Sequence, residues 1–164
     1  MQKIHIQNLT HANFAAFGEV ISCQGQPFFY INDEQTQRYH ALADTQILGD
    51  GKASISIFRN IKASSLPVSI SMLERHPYGS QAFIPMHGQR FLVVVAKSKN
   101  EHEPNLDEIY AFITDGAQGV NYHAGTWHHP LLSLEAPSDF AVVDRIGTGN
   151  NCDVYSFLQP HQIE

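Results

Sequence analysis

A chain of 164 residues is the size of one domain and can build a core without disulfides or metals as staples. Its 43% apolar and 16% charged residues argue against extended disorder. The formal charge of −6 argues against a nucleic-acid role, which needs a basic face.

Thr10 is placed as the N-cap of a short helix, Leu9 and Phe14 fit a hydrophobic staple, and Gly18 stands where the helix should stop. Ser54-Ile55-Ser56-Ile57 and Val68-Ser69-Ile70-Ser71-Met72 alternate polar and apolar residues, which predicts strands. Arg90 to Ala96, Ile109 to Thr114 and Phe140 to Val143 are β-branched or aromatic runs. A second short turn is expected to start at Asn105, with Asp107 and Glu108 in its first turn. Many short strands with Gly, Pro, Asn and Asp between them predict a β-sandwich or barrel in one domain of residues 1–164, with the helix near its N-terminus.

Cys23 and Cys152 are expected to be free thiols, because no secretory segment precedes them, and a cytoplasmic setting follows. The most apolar run, Phe91 to Ala96, is far too short to span a membrane.

Two stretches carry donor atoms suited to one cavity. In Glu74-Arg75-His76-Pro77-Tyr78-Gly79-Ser80-Gln81, extending the alternation of Val68, Ile70 and Met72 puts Glu74 and His76 inward and Arg75 outward. A carboxylate and an imidazole two residues apart on a strand can grip one ion, or simply hydrogen-bond each other at a barrel mouth. In Gly119-Val120-Asn121-Tyr122-His123-Ala124-Gly125-Thr126-Trp127-His128-His129-Pro130, two glycines bracket a turn before a strand. His128 and His129 then face opposite sides, so one of them enters the cavity; His128 is the functional candidate and His129 a packing residue. His123 reaches toward the mouth from the loop.

These spacings resemble the two motifs of the cupin superfamily. Glu74-x-His76, four residues, Gln81, six residues and Gly88 follow the first motif with two substitutions; His123-x-Gly125-x-x-His128 follows the second with His for Pro. The resemblance maps a metal set onto Glu74, His76, Gln81 and His128. Across nearly the whole chain the residues are similar to the ureidoglycolate lyase family. Arg38-Tyr39-His40, Gln81-Ala82-Phe83-Ile84-Pro85-Met86, Trp127-His128-His129-Pro130-Leu131, Asp144-Arg145 and Asn151-Cys152-Asp153 all carry it.

That resemblance implies a cupin-type β-barrel and a cytoplasmic homodimeric enzyme of allantoin breakdown, with nickel as the favoured divalent ion. Its small-molecule substrate would be (S)-ureidoglycolate, cleaved to glyoxylate and urea. His123, His128 and Tyr122 become the acid–base candidates, since collapse of a carbinol-urea moves a proton from oxygen to nitrogen. The substrate carboxylate needs a cation: Arg59, on the face of Ile55 and Ile57, is the first choice and Arg38 the second. Gln81 is the further substrate-binding candidate. Asp144 shares the face of Phe140 and Val142 and is expected to enter the barrel. Two other readings stay open at this point: an amidohydrolase releasing ammonia and carbon dioxide, and a non-catalytic small-acid-binding barrel.

Overall fold

The structure is a computed structural model and describes residues 2–164. Two antiparallel-dominated sheets face each other as a cupin-type barrel. The larger runs in the order Lys3–Ile4, Asp153–Ile163, Val68–Arg75, Trp127–His128, Phe91–Ser98, Pro104–Ile113, Ile6–Asn8, with Leu132–Ser133 also on Phe91–Ser98. The smaller runs Gly18–Ile21, Gly119–Tyr122, Gln81–Pro85, Ser138–Ile146, Lys52–Asn60. A separate hairpin pairs Phe29–Ile31 with Thr36–Arg38.

One core lies between the sheets, where Phe91, Val93, Val95 and Phe112 meet Phe83, Val120, Phe140 and Val142. A second covers the other face of the larger sheet, built from Leu92, Val94, Ala96, Leu73, Trp127 and Ile163. The Phe91–Ser98 strand is therefore buried on both faces over its apolar part. That explains why its sequence is a continuous apolar run rather than an alternation.

The short helix is His11–Phe14, four residues long, and Thr10 caps it. The Thr10 hydroxyl accepts from the Asn13 amide at 3.1 Å while the Asn13 side chain accepts from the Thr10 amide at 2.9 Å. Leu9 and Phe14 are both buried in the inter-sheet core. Gly18 plays a different part from the expected stop: the helix ends at Ala15, and Gly18 opens the next strand. A Cβ there would lie 1.9 Å from the Asn121 carbonyl oxygen, so close strand approach selects glycine.

Three further expectations are corrected. Asn105 starts no helical turn; it sits in the Pro104–Ile113 strand, at an irregularity in the pairing with Phe91–Ser98. Its side chain accepts from the Asp107 amide at 3.2 Å, the local bond that such residues offer in place of the ladder. The alternation through Val68–Arg75 is also broken, since Ile70 and Leu73 both belong to the outer core. Lastly, the face of Ile55 and Ile57, on which the sequence places Arg59, points to solvent, the two isoleucines 79% and 62% exposed. Register sets this: Phe58 pairs with buried Phe140 and packs edge-on against Phe83, so its neighbours in the Lys52–Asn60 edge strand face outward.

Candidate active site

Two cross-strand rows, one from each sheet, form the site. On the larger sheet His128 is directly opposite Glu74. On the smaller, Gln81 is opposite Tyr122 on one side and Asp144 on the other. The rows meet where the Tyr122 ring stacks on the His128 ring, centroids 4.3 Å apart and planes 10° from parallel. Glu74, His76 and Gln81 line a cavity of about 450 Å³ with Phe58, Phe83 and Leu131. A cavity of about 470 Å³ beside the helix is slightly larger, but two of its buried polar side chains, Thr114 and Gln118, are committed internally. There the Gln118 amide bonds the Leu9 carbonyl and the Asp115 amide, and the Thr114 hydroxyl accepts from Phe91.

Backbone carbonyls fix both imidazoles. His76 Nδ1 donates to the Asn151 carbonyl at 2.7 Å, and His128 Nδ1 to the Thr126 carbonyl at 2.9 Å. A carbonyl can only accept, so in the neutral rings both Nε2 atoms carry lone pairs. Both Nε2 atoms are buried without a hydrogen-bond partner. Glu74 Oε1 lies 3.9 Å from His76 Nε2 and 3.6 Å from His128 Nε2, and one donor atom from each of the three residues lies within 4.8 Å of the others. Three acceptors converging in a buried place repel each other unless a cation or a proton lies among them. The donor set of two imidazoles and one carboxylate fits a divalent metal ion.

Burial governs the protonation of these groups. It drives His128 down to about 3, with the neighbouring His76 adding to the effect against the Thr126 hydrogen bond. It raises the Glu74 carboxyl above its ordinary value, opposed by His76. It also raises the Tyr122 phenol, with Glu74 adding to it, so Tyr122 stays un-ionised and serves only as a neutral phenol.

The other sequence candidates separate cleanly. Arg75 faces away, donating to Asp153 at 2.8 Å with its guanidinium 4.7 Å from the centre of the Trp127 ring. Arg59 lines the cavity rim, held by Asp139 through two bonds of 2.8 Å. Arg38 stands on the separate hairpin, 5.9 Å from the Phe29 ring, and does not line this cavity. His123 is not brought to the cluster; its Nε2 lies 3.1 Å from Glu19 Oε1 in a different cavity that His11 and His40 also line. His129 is packed away with its Nδ1 donating to the Pro130 carbonyl. Asp144 accepts from Gln81 Nε2 at 3.1 Å, as its inward register predicts.

Sequence reasoning gave no role to Asn151 or Cys152. The Asn151 backbone orients His76 while its side chain accepts from the Tyr78 amide at 2.8 Å, and Cys152 Sγ stands 4.0 Å from Glu74 Oε2. Burial, then Glu74 and Asp153, push this thiol up. No local pattern marks them, because the loop reaches the site from the far end of the chain. Cys23 and Cys152 are both free, as expected. Among the described residues no helix is long and apolar enough to cross a membrane.

The model of a family described as "Ureidoglycolate lyase" matches residues 1–164. A ureidoglycolate lyase of Pseudomonas syringae pv. syringae is 49% identical over 172 residues, covering 100% of this chain and 99% of the relative. That of Pseudomonas savastanoi pv. phaseolicola is 51% identical over 160 residues, 97% of this chain and 92% of the relative. One from Pseudomonas aeruginosa strain LESB58 is 49% identical over 164 residues, 99% and 95%.

Proposed function

Because the chain belongs to the ureidoglycolate lyase family, we propose that it cleaves (S)-ureidoglycolate to glyoxylate and urea, in the cytoplasm, as a step of allantoin breakdown. The observation that carries the local chemistry is the convergence of His76 Nε2, His128 Nε2 and Glu74 on one point beside the cavity that Glu74 and His76 line.

In this reaction the carbinol O–H bond breaks, its electrons form the aldehyde C=O, and the C–N pair leaves with urea. The proton lost from oxygen is the one nitrogen gains, so one shuttling group suffices. Glu74 suits that task through Oε2, since Oε1 is the oxygen that faces the two imidazoles. Tyr122, un-ionised, holds the His128 ring by stacking. Arg59 is the only Arg or Lys among the described residues that line the cavity, and we assign it the substrate carboxylate, with Asp139 holding the guanidinium in place. Glu74, His76 and His128 would hold a divalent ion, nickel being well matched to imidazole and carboxylate donors. Such an ion supplies Lewis acidity that lowers the hydroxyl pKa.

Incubation with ureidoglycolate, following urea, ammonia and glyoxylate before and after chelation, tests this reading. Urea and glyoxylate without ammonia are expected. Ammonia in place of urea identifies an amidohydrolase, and full activity after exhaustive chelation removes the metal from the mechanism.

The outward face of the Lys52–Asn60 edge strand supports a homodimer. Ile55 and Ile57, with Ile61 at 74% exposed just beyond, leave an apolar strip along an edge that no strand among the described residues covers. A second copy buries that strip. Light scattering should give the mass of a dimer, and Ile57→Lys should give a monomer; a wild-type monomer at micromolar concentration overturns it.

A further inference from the structure

Gln81 is only 6% exposed, and its Oε1 is buried with no hydrogen-bond partner, although its Nε2 donates to Asp144 Oδ2 at 3.1 Å. Half of the amide is satisfied and half is not, and Gln81 lines the same cavity as Glu74 and His76. An orphaned buried carbonyl oxygen costs stability, so its persistence points to a ligand that donates to it. Resting on the lyase reading above, we infer that Gln81 Oε1 accepts an N–H of the substrate's ureido group, and that Asp144 is the positioning residue that makes this possible.

An amide can present either end to a cavity, and oxygen and nitrogen differ only in whether they accept or donate. Asp144 decides between them. It sits directly opposite Gln81 across the Gln81–Pro85 and Ser138–Ile146 strand pair, and its Oδ2 accepts from Gln81 Nε2 at 3.1 Å. The Gln81 NH2 group must therefore turn toward Asp144, which leaves the oxygen for the ligand. The ureido group is rich in N–H donors, whereas a plain 2-hydroxy acid offers none at that end. A cavity that leaves an acceptor unpaired with the wrong ligand discriminates more sharply than a missing apolar contact does. Phe83, from the same strand as Gln81, and Phe58 opposite it keep this part of the wall apolar, so water competes poorly for the oxygen.

The test compares two small acids as competitive inhibitors: N-carbamoylglycine, which carries the ureido group, and glycolate, which lacks it. Asp144→Asn frees the amide to flip, and Gln81→Met removes it at similar volume. Both variants are expected to raise the inhibition constant of N-carbamoylglycine about tenfold, the effect of one buried hydrogen bond, while glycolate binding and metal content stay as in the wild type. KM for ureidoglycolate rises in the same proportion. Equal changes for both acids overturn the inference while leaving the lyase reading intact, and loss of bound metal in Gln81→Met overturns it by making Oε1 a metal donor. A wild-type protein that releases neither urea nor glyoxylate overturns the underlying reading and the inference with it.

Discussion

His76→Ala and His128→Ala are each expected to lower kcat/KM for ureidoglycolate by a factor on the order of 10³. Each removes one of two buried nitrogen lone pairs aimed at Glu74, and with it a donor for the ion. His76→Ala is the cleaner variant, because His76 is half-buried, whereas His128 also supports the stack with Tyr122. Metal titration by calorimetry should show the same loss as turnover. Retention of both would dissociate these residues from the reaction.

The same histidine fixes the sign of a pH effect. His128 in the folded chain stays neutral down to about 3, while in the unfolded chain it takes a proton near 6.5. Between those values the unfolded state binds more protons, so stability falls as pH drops through that window. His128→Leu removes this contribution, so its urea midpoint should decline less than that of the metal-free wild type between pH 7 and pH 4.5. Parallel declines would show that His128 protonates as readily folded as unfolded.

Alternation along a strand was legible wherever one residue separates the two faces. It distinguished Glu74 from Arg75 and His128 from His129, and it brought Asp144 inward. It could not say which face is the inner one, and Ile55 and Ile57 therefore turned out to face solvent. Nor could it carry across the irregularity between Ile70 and Leu73. The pairing of Gln81 with Asp144 was invisible for a different reason: register between strands far apart in sequence is set by the whole sheet, not by either strand alone. His123 shows the same limit, because a residue one step from Tyr122 leaves the inner face and meets Glu19 instead. Face counting thus reads single strands well and the cavity only in part.

The dependence of the site on its packing yields the second large effect. Phe140→Ala is expected to cost about 3–5 kcal/mol, because the ring is fully buried and its removal leaves a cavity between two sheets. Phe140 sits between Phe58 on the edge strand and Pro85 on the strand that carries Gln81, and its ring meets Phe91 of the opposite sheet edge-on at 5.1 Å. The Ser138–Ile146 strand is thereby pinned to the larger sheet four residues before Asp144. For a chain of this size the loss lowers the unfolding midpoint by about 10 °C, measured by calorimetry. Turnover at low temperature should fall much less than in the histidine variants, since no atom that touches substrate is removed. The part of the loss that does appear should be in KM, through a looser Gln81–Asp144 pair. A Phe140→Ala protein that unfolds within about 1 kcal/mol of the wild type would mean that the sheets close over the gap, and that the two walls of the cavity are less rigidly held than their packing implies.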